Sequence, residues 1–248
     1  MVRNYKIILQ YDGSRYDGWQ KQGNTEKTVQ GKLEQVLERL SGSPVVVHGS
    51  GRTDAGVHAH GQTANFHMET ELSEKELMQY LNQYLPEDIE VLSLDIVKDR
   101  FHSRLNAVEK TYVYHIEMGP KKDVFQRKYI YGLGKELDIE RMEEAAVSLM
   151  GSHDFKSFCA NKKMKKSTVR TLTDISFCQK GTKLTVSYTG DGFLHHMVRI
   201  LMGTLIEVGL GERKPEEMKE ILLKEDRQAA GYTAPAEGLF LERVVYDD

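Results

Sequence analysis

The densest run of residues able to do chemistry is His48-Gly-Ser-Gly-Arg52-Thr-Asp54-Ala-Gly-Val-His58-Ala-His60-Gly61. Its glycines at 49, 51, 56 and 61 let the backbone turn sharply and let a ligand approach closely. Asp54 and Arg52 place one carboxylate and one guanidinium on that backbone. No Gly-Lys-Ser/Thr closes the run, so it is not a phosphate loop. Nor is it a dinucleotide fingerprint, because Asp54 stands where the third glycine belongs. Two readings remain side by side: a loop built to wrap a ligand, or a tight loop whose Asp caps a turn. His58 and His60, alternate on a strand with His48 and His67 nearby, could face one cation. No cysteine or second histidine pair completes such a shell unless Asp54 does, so no metal is expected.

A second clue lies at Leu194 to Val208, which reads as a helix apolar nearly all round and therefore buried. From Met197 onward only Arg199 and Glu207 are charged. A buried guanidinium needs a carboxylate, because removing the partner from a buried pair costs roughly 3–5 kcal/mol. Glu207 is too far along the helix for an i,i+4 pair. Arg199 is thus expected to meet an acid from elsewhere, with Asp54 a natural candidate; pairing with some structural acid or snorkelling to solvent are the alternatives. His195 and His196, adjacent on the same helix, are expected to point apart. Tyr112 and Tyr114 share one face of a strand, either as core or as flat rings on which a base stacks, worth about 1–3 kcal/mol per base.

These residues need a scaffold. Tyr5 to Tyr11 reads as a strand ending at the turn signal Asp12-Gly13. Val29 to Leu40 reads as a helix with Thr28 as N-cap and Gly42 as stop. A short strand at Val45 to Val47 precedes the glycine-rich stretch, and Thr63 to Met68 is the next strand. Ser73, with Glu76 three residues on, opens a helix as a capping box. That helix ends before Pro86, and Ile89 to Ile96 is a strand. The grammar then restarts with a strand at Thr111 to Met118, a helix at Ile139 to Met150 and strands at Thr168 to Cys178 and Lys183 to Thr189. The apolar helix, a short helix at Pro215 to Leu223 and a closing strand at Leu239 to Tyr246 follow. Strands and helices mix without strict alternation, which favours α+β. A boundary near residue 104 would divide the chain into residues 1–104 and 105–248. A strand ending Tyr11-Asp-Gly echoes one ending Tyr188-Thr-Gly, as two related halves would, though chance similarity fits nearly as well.

The 248 residues carry 34 basic and 37 acidic side chains, a net charge of −3, with 40% hydrophobic and 29% charged residues. That is ordinary globular composition and excludes disordered, collagen-like and coiled-coil classes. The charge is unevenly spread. Residues 71–99 hold eight acids against two lysines, and residues 110–170 hold thirteen bases against eight acids, including Lys162-Lys163-Met164-Lys165-Lys166. Such asymmetry leaves room for a basic face on an acidic protein. Cys159 and Cys178 make no disulfide framework or four-cysteine zinc site. No signal peptide opens the chain and no run reaches the roughly 18 apolar residues of a membrane span. A cytoplasmic protein without membrane contact is the expectation.

With Gly51-Arg52-Thr53-Asp54-Ala55-Gly56-Val57-His58-Ala59 in view, the chain closely resembles the tRNA pseudouridine synthase A family. Tyr11-Asp-Gly-x-x-Tyr-x-Gly-Trp-Gln20 matches its opening, and Phe101-His-Ser-Arg104 with Lys110-Thr-Tyr112-x-Tyr114 its second motif. Gly192-Phe-Leu-His-His-Met-Val-Arg199 and Ala236-Glu-Gly-Leu239 match its third and last. The resemblance implies Asp54 as nucleophile, Arg199 as its ion-pair partner, Tyr112 against the target uracil and Arg52 drawing the nucleotide out of the stem. It implies conversion of uridine to pseudouridine at tRNA positions 38, 39 and 40 in the anticodon arm, by a homodimer with no metal and no organic cofactor. The implied fold is two similar α+β halves with the active cleft between them. Thr111 stands where the family often has arginine before the tyrosine, which touches only a peripheral RNA contact. Lys162 to Lys166 and Arg15 are candidates for phosphate contacts. Two rival readings are a non-catalytic RNA-binding module and a metal-dependent hydrolase using His58, His60 and Asp54.

Overall fold

The computed structural model describes residues 1–120, 123–161 and 163–247. In chain order, Arg3–Tyr11 forms β1, Val29–Ser41 α1, Val47–Gly49 β2, His58–Met68 β3, Glu74–Tyr84 α2 and Ile89–Val97 β4. Ala107–Glu117 forms β5, Tyr131–Gly132 β6, Ile139–Val147 α3, Gly151–Asp154 β7, Val169–Lys180 β8 and Lys183–Gly190 β9. Met197–Gly209 forms α4, Glu217–Lys224 α5 and Leu239–Tyr246 β10. The fold is α+β, and contacts divide it into two compact units: Met1–Val108 with Phe240–Asp248, and Glu109–Leu239.

In the first unit the strands run in the order β4-β1-β3-β10, with β2 also on β3. Strand β1 is antiparallel to both neighbours. β10 joins in parallel, with Phe240 opposite His58. Alternation along β1 buries Tyr5, Ile7 and Leu9, and the helices bury Leu33 and Leu37 of α1 and Leu77 and Leu81 of α2, all at most 1% exposed. Local rules place both helices. The Thr28 hydroxyl accepts from the Gly31 amide and Gly42 ends α1 at φ 71°. Ser73 and Glu76 close the capping box of α2.

In the second unit the order is β5-β9-β8-β7, with β6 on the far edge of β5. Helix α4 is buried along its length except at Arg199 and Glu207. The Tyr114 hydroxyl donates to the Pro235 carbonyl at 2.6 Å, and the Tyr188 hydroxyl meets the Met202 sulfur at 3.3 Å.

β5 begins four residues before the expected Thr111, α3 ends at Val147 rather than Met150, and β6 and β7 are not among the expected strands; three further departures have a clear physical reason. β2 lies at Val47–Gly49 rather than at Val45 to Val47, because its ladder forms opposite Ala64–Phe66 of β3 and Val46 is left exposed. β3 begins at His58, five residues before Thr63, and so takes in Gly61. A side chain there would lie 2.5 Å from the Glu242 carbonyl, the close backbone approach that a mid-strand glycine permits. Helix α4 starts only at Met197, because His196 is left-handed at φ 61°. His195 and His196 therefore precede the helix, and instead of pointing apart their rings sit 3.9 Å between centroids.

Buried phenols give this fold a defined alkaline limit. Burial pushes the Tyr11 hydroxyl up from 10.0 to about 12, and raises Tyr114 and Tyr188 as well. A raised folded-state value means the folded chain holds its proton where the unfolded chain has released it. The contribution is complete below pH ~10 and is lost as pH climbs through about 12, on the order of 2–3 kcal/mol for Tyr11 alone. Phenolate absorbance should therefore rise for these tyrosines together with loss of far-ultraviolet dichroism. Ionisation of all twelve tyrosines near pH 10 with the fold intact would contradict it.

Candidate active site

The loop carrying Arg52, Thr53 and Asp54 is held by the segment that follows β1. Asp12 caps a one-turn 3-10 helix at Gly13–Arg15, accepting from the Ser14 amide. The Gly13 amide donates to His58 Nδ1 at 3.0 Å, and the Gly56 amide to the Tyr16 carbonyl at 3.2 Å. The Trp19 amide donates to the Thr53 carbonyl at 3.1 Å, and the hydroxyls of Tyr11 and Thr53 share a buried hydrogen bond of 2.8 Å. Asp54 itself sits in a tight turn closed by the Val57 amide on its carbonyl at 3.1 Å, with Gly56 at φ 78°. Its side chain is half-buried. Two glycines are dictated by this packing. A Cβ on Gly13 would lie 2.0 Å from the Val57 carbonyl oxygen, and one on Gly18, at φ 97°, 2.6 Å from that of Thr53.

Arg52 is exposed, and its Nε donates to Gln20 Oε1 at 2.9 Å. Gln20 in turn donates to Gln30 Oε1, and Gln30 donates to Glu34 Oε1 and to the Val47 carbonyl. Glu34 also takes the Val47 amide at 3.1 Å and the Lys21 ammonium at 2.8 Å. Gln30 and Glu34 are buried, each 7% exposed, so α1 carries a polar stripe beside its apolar one. A buried network in which each member has its partners fixes a single geometry. The far side of the loop is held likewise: Ser50 donates to Gln62 Oε1 at 2.6 Å and Gln62 to the Gly51 carbonyl at 3.0 Å. Sequence reasoning missed Gln30, Glu34 and Gln62. The only available signal was an i,i+4 polar pair, Gln30 and Glu34, beside the apolar face of α1.

His58 and His60 are both engaged within the first unit. His58 is 1% exposed, stacks on Phe240 at 4.6 Å and has Nδ1 engaged by Gly13. His60 pairs through Nδ1 with Glu242 at 2.7 Å. Among the described residues, Asp54, His58 and His60 do not bring ligand atoms within 4.8 Å of one another. The hydrolase reading loses its site.

In the second unit, Tyr112 on β5 is buried and meets Phe193 edge to face at 5.0 Å. Arg199, in the first turn of α4, is half-buried and donates from Nε to the Ala234 carbonyl at 2.7 Å, while the Ala234 amide donates back to the Arg199 carbonyl. Glu207 is taken by Arg213 and by the Tyr232 amide. Of the candidate phosphate contacts, Arg15 is already clasped by Asp88, with Nε at 2.9 Å and a terminal nitrogen at 2.6 Å. Lys163, Lys165 and Lys166 are exposed, and Lys162 lies outside the described residues.

A carboxylate and a guanidinium thus stand on a loop whose backbone is tied on both sides, without the residues of a phosphate loop. A family model for tRNA pseudouridine synthase matches residues 7–105 and 145–247, spanning Arg52, Asp54 and Arg199 but not Tyr112. The chain belongs to that family, whose reaction isomerises uridine to pseudouridine in tRNA. It is 47% identical to a tRNA pseudouridine synthase A of Bacillus sp. (strain KSM-64), over 99% of this chain and all of that protein. It is 45% identical to a tRNA pseudouridine synthase A 2 of Clostridium tetani, with both chains covered completely. A Bacillus anthracis tRNA pseudouridine synthase A 2 is 43% identical over 99% of this chain. No helix among the described residues is long and apolar enough to cross a membrane.

Proposed function

We propose that this protein isomerises uridines at positions 38, 39 and 40 in the anticodon arm of tRNA, as a cytoplasmic homodimer, with Asp54 as nucleophile. The observation that carries this reading is the loop Gly51–Ala59, whose sequence matches the family's catalytic motif and whose backbone is tied on both sides. The reaction breaks N1–C1′, turns the uracil and joins C5 to C1′; the C5 hydrogen leaves as a proton and N1 gains one. No electrons are exchanged and no group is added, so the reading calls for neither a redox cofactor nor a co-substrate. A carboxylate suits the step because it can attack covalently or stabilise an oxocarbenium-like sugar. It must be ionised, and Arg199 is the cation proposed to keep it so and to orient it.

The target base must leave its stack, which costs a few kcal/mol. Arg52 is proposed to draw the nucleotide out. Its Nε is anchored on Gln20, which leaves the terminal nitrogens of the fork for the RNA. Tyr112 is proposed to lie against the uracil, its ring fixed by the edge contact with Phe193. The assay is carbodiimide adduction followed by primer extension on an unmodified tRNA transcript incubated with the protein in chelator. Stops next to positions 38 to 40 are expected. Modification confined to another arm of the tRNA would overturn the assigned positions, and a monomer by sedimentation would overturn the dimer.

A further inference from the structure

The second unit contains a cavity of about 400 Å³ between the segment from β7 to β8 and the turn after α5. That is within the range of small-ligand sites. Three cations line it, Lys156, Lys166 and Arg227, and so do three carboxylates, Asp154, Glu225 and Asp226. The carboxylates are partly engaged inside the chain. Asp154 takes the Lys156 amide, Glu225 the Lys156 ammonium at 3.2 Å, and Asp226 the Gln228 amide at 3.0 Å. Lys166 and Arg227 have no carboxylate within ion-pair distance among the described residues. The Arg227 fork is held by the carbonyls of Ala230 and Gly231 and by the Thr233 hydroxyl. Burial lowers the pKa of this guanidinium, and the Coulombic pull of Glu207 offsets part of that.

The lining selects against simple ions. A bare anion would meet three carboxylates, and a bare cation three cations. A ligand that satisfies both sets carries an anionic group at one end and hydrogen-bond donors at the other. The side-chain amide of Gln228 can read a planar polar edge, and the Met164 thioether, held by the Asn161 amide, offers a soft surface to a ring. A nucleotide with an exocyclic amine has these features: phosphate for Lys166 and Arg227, amine for a carboxylate.

We propose that this cavity seats one nucleotide of the tRNA substrate, bearing an exocyclic amine and distinct from the uridine that reacts. This rests on the synthase reading above. The walls of the cavity connect to the elements that hold Arg199. The Ala160 amide donates to the His195 carbonyl at 3.0 Å, four residues before Arg199. Arg227 pins residues 230–233, and the next carbonyl, that of Ala234, takes Arg199 Nε.

The test compares Lys166→Glu with Lys219→Glu, an exposed lysine on α5 that does not line the cavity. Both are assayed by tritium release from [5-³H]uridine tRNA. Wild-type release checks the synthase reading separately. Lys166→Glu is expected to raise KM about tenfold with kcat nearly unchanged, and Lys219→Glu much less. Adenosine, guanosine or cytidine monophosphate at millimolar concentration should inhibit the wild type and not Lys166→Glu, while uridine monophosphate should inhibit neither through this site. Equal KM shifts in the two variants would reduce Lys166 to general surface charge and overturn the proposal. Mononucleotide binding without any KM effect of Lys166→Glu would overturn the RNA occupant in favour of a free nucleotide.

Discussion

Asp54→Asn should abolish tritium release from [5-³H]uridine-labelled tRNA, by at least about 10⁴-fold, while the variant still folds and binds tRNA. The label reports the reaction directly, because C5 cannot become the glycosidic carbon without losing its hydrogen. Asparagine keeps the shape of the side chain and removes its charge, so it can neither attack carbon as a carboxylate does nor balance a developing cation. The loop should keep its shape because the turn around Asp54 is built from backbone groups. The Val57 amide closes on the Asp54 carbonyl, the Trp19 amide holds Thr53 and the Tyr16 carbonyl takes the Gly56 amide. A folded Asp54→Asn that binds tRNA and releases tritium at the wild-type rate would remove Asp54 as nucleophile and leave the family assignment untouched. Absence of release from the wild type as well, with binding intact, would favour a module that holds RNA without acting on it.

Sequence rules read the parts of this fold that local chemistry decides. Thr28, Gly42 and the Ser73–Glu76 box end their helices through hydrogen bonds within a few residues, so the sequence contains both partners. Elements set by distant neighbours were less legible. Gly61 is a poor strand residue by propensity, yet β3 runs through it because the backbone at Glu242 approaches there. The chain from Phe240 onward joins the first unit, a return that no local pattern announces. The hydrophobic period carried α4 back to Leu194, but a left-handed His196 starts the helix three residues later.

The site divides in the same way. Glycine spacing and the isolated charges drew attention to Asp54, Arg52 and Arg199, but spacing alone left an active loop and a capped turn equally open. The family resemblance supplied the roles. The polar relay from Arg52 through Gln20 and Gln30 to Glu34 was invisible, because its members are separated by helix α1 and the loop before it. Those side chains satisfy one another rather than any sequence-local group, so no capping or turn rule could find them.

Gly13→Ala tests whether the position of the Asp54 loop, and not only its composition, governs the rate. The new methyl would fall 2.0 Å from the Val57 carbonyl oxygen and 2.5 Å from its carbon, both backbone atoms that cannot swing aside. Val57 closes the turn on Asp54, and His58 behind it takes the Gly13 amide. Relief of the overlap must therefore shift the strand entry, the turn or both. Overpacking of this kind costs about 1–3 kcal/mol of stability. A displacement near 1 Å at a reacting group costs on the order of 100-fold in rate. The variant should consequently fold with a lowered melting temperature and lose about 100-fold in kcat with little change in KM. Gly23→Ala is the matched control, since a methyl there meets nothing within 4 Å. Wild-type kcat in Gly13→Ala would mean that the turn tolerates displacement, and that the ties to β1, Trp19 and Tyr16 serve the fold rather than the chemistry.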